Sequence, residues 1–195
     1  YHRSYKQNLI QNVCAIVIDV PTGKVLAYVG NTSDSVDGNK VNMIRRPRSS
    51  GSTMKPFLYA EMLDAGLLSP LSLLQDIPID INGYEPKNSS YRFDGVVPAH
   101  EALVRSLNIP WILALKRFGH ERFYSALGEY GFRHFKKDAK HYGLSLVVGG
   151  GDVELMELAN VYLSVGQKLM DIPKSQAYFS NMLINNEKPS ISLSK

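Results

Sequence analysis

Ser52 and Lys55 are separated by two residues, and Pro56 follows at once. On a helix, residues three apart lie on one face about a turn from each other, the relation a serine nucleophile and its base require. Proline has no N–H and clashes with the carbonyl four residues earlier, so a helix tolerates it only in the first turn. The helix carrying Lys55 is therefore predicted to begin close to Ser52. That places the hydroxyl near unpaired backbone N–H groups and the positive end of the helix dipole. A lone Ser-x-x-Lys is more often a capping serine with a solvated lysine.

A second pair of polar residues sits in an apolar stretch. Residues 99–118 are helical in pattern, but Pro110 is predicted to end one helix near Asn108 and to open the next. Ser106 and Asn108 then fall in a helix–helix junction rather than mid-helix.

Other chemistries find little support. His2, His100, His120, His134 and His141 show no metal-ligand spacing, and His100-Glu101 lacks the second histidine of a zinc helix. The glycine-rich run 143–151 lacks a phosphate loop's ending and spacing, so no nucleotide or other cofactor is expected. Arg45, Arg46 and Arg48 flank Pro47 without aromatic interleaving or a basic helical stripe, which argues against nucleic acid. They read as a solvated approach to the Ser52 helix, or as an anion-attracting lip to a cleft.

The elements that must position these residues are legible in outline. Residues 13–20 and 25–30 are apolar runs about Pro21-Thr22-Gly23, which predicts a hairpin in the interior of a sheet. Residues 31–40 read as a surface loop, and residues 1–12 as a lead-in or short helix. From Ser52, the apolar positions Met54, Phe57, Leu58, Met62 and Ala65 keep helical spacing, with Gly66 as a stop. Residues 67–97 are rich in proline, glycine and asparagine and admit only short strands or turns, for instance 77–81. The sequons at Asn31 and Asn88 are set aside as chance matches. Gly119 should stop the second junction helix, and 121–130 suits another ended by Gly131. Residues 136–141 form a charged surface stretch. Residues 152–165 are amphipathic, with Asp152 as N-cap and Gly166 as end, and 177–184 suits a final short helix.

At 195 residues and 44% hydrophobic content the chain can build a proper core, and its net charge of +4 permits an acidic partner without requiring one. Its single cysteine, Cys14, lies in an apolar run and reads as a small buried side chain, without an intramolecular disulfide. No segment approaches the ~20 apolar residues of a membrane span. The chain opens on Tyr1 and ends in a polar run, as expected of a piece of a longer protein.

Ser-x-x-Lys followed some fifty residues later by Ser-x-Asn, completed by Lys-Thr-Gly, marks penicillin-binding proteins and class A β-lactamases. The longer strings carry more. Arg48-Ser49-Ser50-Gly51-Ser52-Thr53-Met54-Lys55-Pro56-Phe57 resembles the nucleophile segment of class A, bifunctional penicillin-binding proteins. Gly83-Tyr84-Glu85-Pro86-Lys87-Asn88, Glu101-Ala102-Leu103 and Ser106-Leu107-Asn108-Ile109-Pro110 resemble the 1C type of that class. Gly143-Leu144-Ser145-Leu146, Gly149-Gly150 and Leu158-Ala159 are similar to the segment preceding the third motif, and the hairpin looks like the start of the transpeptidase domain. The resemblance spans residues 13–166.

It implies a mixed α and β fold: a mainly antiparallel sheet with helices on its faces, beside a helical region bearing Ser106 and Asn108. It also implies acylation of Ser52 by the D-Ala-D-Ala end of a peptidoglycan stem peptide, or by a β-lactam antibiotic. Lys55 would be the base, Ser106 a proton relay to the leaving group, and Asn108 a hydrogen-bond partner of Lys55 and substrate. The Ser52 N–H would form half of an oxyanion hole. An amine of a second strand would then resolve the acyl-enzyme into a crosslink. The resemblance further implies an N-terminal membrane anchor and glycosyltransferase domain beyond this chain, a location on the periplasmic side of the inner membrane, and partners in cell-wall synthesis. One departure stands out: no Lys-Thr-Gly or Lys-Ser-Gly occurs, and Thr22-Gly23-Lys24 has the wrong order. Residues 1–195 are therefore expected to be an incomplete transpeptidase domain, lacking the last sheet strands and weakly active or inactive alone. The competing readings are a β-lactamase that hydrolyses its acyl-enzyme and a non-catalytic penicillin-binding sensor or scaffold.

Overall fold

A computed structural model describes residues 12–32 and 40–175, so residues 1–11, most of the 31–40 loop, the 177–184 helix and the Asn31 sequon's Ser33 lie outside the described residues. The chain forms two compact units.

The first unit combines the N-terminal segment through Arg46 with the chain from Glu154 onward. Strand β1 (Ala15–Ile18) pairs antiparallel with β2 (Val25–Val29), Ala15 opposite Val29. The predicted hairpin about Pro21-Thr22-Gly23 is present, and Asp19 closes it: its carbonyl accepts from the Gly23 N–H at 2.7 Å and its carboxylate from the Thr22 N–H at 3.1 Å. Val17 and Leu26 are exposed, so the pair is not the interior of a larger sheet among the described residues. Cys14 is half-buried rather than buried, at the edge of this short ladder.

The amphipathic helix is present with shifted ends. Its N-cap is Glu154 instead of Asp152, because a capping box with Glu157 satisfies the first N–H groups. It runs Leu155–Leu169, through Gly166. A Cβ at Gly166 would stand 2.9 Å from Val20, so the glycine serves close packing and not termination. Gln167, buried on the same helix, donates to the Val20 carbonyl at 3.0 Å. Arg45 pairs with Glu154 at 3.2 Å, which gives one cation of the basic cluster a local partner.

The second unit is the continuous segment 47–153. Its boundaries meet in a two-residue ladder between β3 (Arg48–Ser49) and the strand Asp152–Val153, Ser49 opposite Asp152. A 3₁₀ turn (Gly51–Met54) leads into α1 (Lys55–Asp64) with Pro56 in the first turn, as the proline demanded. Met54, Phe57, Leu58 and Met62 are buried on the predicted face, and Gly66 ends the helix at φ 66°.

Strand β4 (Leu73–Asp76) pairs with β5 (Gly95–Pro98), a few residues before the predicted 77–81. Pro78 has no N–H to give a ladder, and Asp76, fully buried, turns its carboxyl inward where the strand stops. Helices α2 (Ala99–Val104) and α3 (Asn108–Phe118) follow with the expected break between them, then α4 (His120–Tyr130), stopped by Gly131 at φ 110°. The charged stretch 136–141 includes the start of a short helix, α5 (Ala139–Tyr142), and the glycine-rich run is a 3₁₀ segment (Gly143–Val148) and not a phosphate loop. Trp111, Ile112, Leu115, Phe123, Leu127, Leu146 and Val147 form the core against α1.

The described residues thus form a mixed α and β fold with three two-stranded antiparallel sheets. The ladders run two to five residues and are separate among the described residues, where the resemblance implies a single sheet.

Candidate active site

Ser52 lies in the 3₁₀ turn, where side chains three apart eclipse one another, so the turn stacks Ser52 above Lys55. The segment is pinned by the glycine run 149–151. Ser49 Oγ donates to the Gly149 carbonyl at 2.7 Å, and the Ser50 N–H to the Gly151 carbonyl at 3.0 Å. Thr53 Oγ1 donates back to the Ser50 carbonyl at 2.6 Å. Ser52 itself is exposed, and its hydroxyl has no hydrogen bond among the described residues.

Lys55 is the opposite case, 1% exposed on the first turn of α1. Its Nζ lies 2.8 Å from the Ser106 carbonyl, 3.2 Å from Ser106 Oγ and 2.8 Å from Asn108 Oδ1. Burial pushes the amine down from its ordinary 10.5 to about 8, because desolvation disfavours the charged form. An ammonium has three N–H groups and fills all three positions. A neutral amine fills two and keeps a lone pair.

The α2–α3 junction explains how Ser106 reaches Lys55. The Ser106 N–H donates to the Leu103 carbonyl at 2.9 Å and the Leu107 N–H to the Ala102 carbonyl at 3.0 Å, the paired bonds of a Schellman helix end. That motif requires a left-handed residue, normally glycine, and Ser106 takes it at φ 53°. The resulting reversal turns both its hydroxyl and its carbonyl toward one amine.

Asn108 opens α3. Its Oδ1 accepts from Lys55, and its Nδ2 donates to the Lys87 carbonyl at 2.9 Å, which fixes the amide's orientation. The helix start has an apolar N-cap, Leu107, with no oxygen to offer. Asn88 takes its place from twenty residues earlier: Oδ1 accepts from the Asn108 N–H at 2.8 Å and the Ile109 N–H at 3.3 Å. Asn88 Nδ2 donates to Asp76 Oδ1 at 2.7 Å and to the Arg92 carbonyl at 3.0 Å. Asn88 is 2% exposed, so its sequon is sterically closed.

Of the four residues singled out in the sequence, Lys55, Ser106 and Asn108 share one hydrogen-bonded cluster, and Ser52 sits one turn above it. Asp76 and Asn88 carried no spacing signal. Asn88 appeared only inside a longer string, and nothing in sequence links residue 76 to 88 or 88 to 108. Among the described residues no cluster of His, Cys, Asp and Glu could hold a metal ion.

A serine one turn before a buried amine that loses its proton more readily than usual, with a second serine and an amide on that amine, is an arrangement suited to acyl transfer. The sequence comparison decides the family. Residues 13–187 match the family model described as penicillin binding protein transpeptidase domain. This chain belongs to that family. Transpeptidase domains of this kind are serine acyltransferases, and the class A resemblance read from the motifs is borne out by the relatives. The domain is 37% identical over 153 residues to penicillin-binding protein 1C of Escherichia coli K12, covering 77% of this chain and 20% of that protein. The chain thus spans about a fifth of that relative's length. Among solved structures, penicillin-binding protein 1A from Haemophilus influenzae superposes with a TM-score of 0.66 at 30% identity, over 78% of this chain and 23% of that one. PonA1 from Mycobacterium tuberculosis, solved in complex with penicillin V, shares the fold at TM-score 0.65 and 17% identity, over 84% of this chain and 47% of that one. No helix among the described residues of the transpeptidase chain is long and apolar enough to cross a membrane.

Proposed function

We propose that this chain is part of a peptidoglycan DD-transpeptidase that forms its acyl-enzyme on Ser52. The observation that carries the reading is the buried Lys55 amine, lowered to about 8 and held by Ser106 and Asn108 one turn below an exposed serine. Neutral Lys55 takes the Ser52 proton as Oγ attacks the carbonyl between the two D-alanines of a stem peptide. The C–N bond breaks, and the proton passes from Lys55 through the Ser106 hydroxyl to the leaving amine. Asn108 Nδ2 gives the substrate's amide the proton not engaged by the Lys87 carbonyl, and the Ser52 N–H meets the developing oxyanion. The amine of a second strand then displaces Ser52 and closes the crosslink. A β-lactam acylates the same oxygen by ring opening, so no leaving group departs. No cofactor is required.

In this reading residues 1–195 form part of one transpeptidase domain of a longer, membrane-anchored protein on the periplasmic side of the inner membrane, working with cell-wall synthesis proteins. A strand with Lys-Thr-Gly supplies the second oxyanion donor, and this chain alone reacts slowly. The test is mass spectrometry of the full-length protein after penicillin treatment. The expected result is a stoichiometric adduct on the peptide containing Ser52, persisting for hours and absent from Ser52→Ala. An adduct elsewhere, none at all, or turnover within seconds overturns the proposal.

A further inference from the structure

Helix α3 starts with a deficit. Leu107 cannot cap it, and Pro110 in its first turn has no N–H. The Asn108 and Ile109 N–H groups find one acceptor, Asn88 Oδ1, on a loop of the same unit. Asn88 is in turn fixed by both amide protons, on Asp76 and on the Arg92 carbonyl. Asp76 is anchored at the end of β4, where its second oxygen accepts from the Asp94 N–H at 3.0 Å. Every polar atom of the Asn88 side chain is used, and the chain of bonds runs from a strand end to the residue that holds the Lys55 amine. The neighbouring residue, Lys87, takes the other end of the Asn108 amide with its carbonyl. One short segment therefore grips both the backbone and the side chain of Asn108.

We infer that Asn88, tethered by Asp76, is a positioning residue for acylation: it fixes where α3 begins, and so where Asn108 Oδ1 stands against Lys55. The inference rests on the transpeptidase reading and deepens it. Asn88 touches neither substrate nor Ser52. Its effect passes through Asn108, and a displacement of Asn108 by about an ångström is enough to lower a rate roughly a hundredfold.

Asn88→Asp separates positioning from folding. The carboxylate still accepts from the two α3 N–H groups, but the donor to Asp76 becomes an acceptor facing an acceptor. Adding Asp76→Asn restores a donor–acceptor pair and leaves an acceptor for the Asp94 N–H; only the bond to the Arg92 carbonyl stays broken. The experiment follows acylation of the full-length protein by fluorescent penicillin, separating rate constant, half-saturating concentration and final labelled fraction. In N88D the first-order rate constant is expected to fall roughly 10- to 100-fold, with half-saturation within about twofold and full labelling eventually reached. The N88D/D76N protein should recover most of that loss. A purely structural role would instead lower the final labelled fraction at an unchanged rate, and that result overturns the inference. So does a wild-type rate in N88D, or no recovery in the double variant. Failure of the wild-type protein to label on Ser52 overturns the transpeptidase reading and this inference with it. Labelled wild type beside an unaffected N88D overturns this inference alone.

Discussion

Ser106 holds a backbone conformation that glycine would hold with less strain. The same helix-end motif closes α1, and there the left-handed residue is Gly66. A non-glycine residue in that region carries roughly 1 kcal/mol or more of strain. Ser106→Gly is therefore expected to leave thermal stability unchanged or to raise it by up to about 1 kcal/mol, while acylation slows about a hundredfold for want of the hydroxyl proposed as the relay. Calorimetry beside penicillin labelling of the full-length protein checks both halves. Lys55 makes the same trade in charge. Unfolded, it holds its proton up to its ordinary 10.5; folded, only to about 8. Between those values the unfolded chain binds the extra proton, so stability rises with pH across that window. Below pH 8 the native state carries the full penalty of a buried cation, about 3 kcal/mol. Lys55→Met removes the titrating group and leaves the Ser106 carbonyl and Asn108 Oδ1 without their donor, so the rise in stability between pH 8 and about 10.5 should be lost in denaturant titrations. Acylation by the wild type should climb as pH passes about 8, where the amine becomes neutral.

At the level of elements, glycines do two separate jobs around the site. Gly143 and Gly149 bracket the 3₁₀ segment, both at positive φ, 51° and 109°. A Cβ on Gly143 meets nothing within 4 Å, whereas one on Gly149 would stand 2.7 Å from the Gly51 backbone and 2.8 Å from Ser49 Oγ. Gly143→Ala should thus carry only backbone strain, roughly 1–3 kcal/mol. Gly149→Ala adds a backbone collision beside Ser52 and should lose roughly 2–4 kcal/mol, with slower labelling of Ser52. Chemical denaturation and labelling rates of the two variants, side by side, test the distinction. This contrast also shows what sequence could reveal. Pro56, Gly66, Pro110, Gly119 and Gly131 act on their own backbone, and the helix limits they predict hold closely. The errors lie where a distant partner decides. Asp152 is taken by a ladder with Ser49, so the cap passes to Glu154. Gly166 is retained inside its helix by Val20, and β4 sits where β5 pairs with it.

For the molecule as a whole, every residue proposed for the chemistry lies in the continuous segment 47–153, and the first unit is assembled from the chain on either side of it. Ser52, Lys55, Ser106 and Asn108 were legible because their motifs are local and their strings long. The Asp76–Asn88 tether was not, since it joins residues that no periodicity relates. The exposure of Val17 and Leu26 was equally hidden, because an apolar run looks the same whether one face or both are covered. The ladder of Ser49 with Asp152 has a further consequence, in time. It closes a loop of roughly a hundred residues, an entropic barrier of about 3 kcal/mol beyond that of a four-residue turn. Contacts at such separation form late and slow the search for the native state. During synthesis the Ser52 segment emerges early, yet the carbonyls of Gly149 and Gly151 that pin it arrive a hundred residues afterward. The setting of Ser52 is thus one of the last features of this unit to mature, and a chain interrupted before residue 149 carries the serine without its seat.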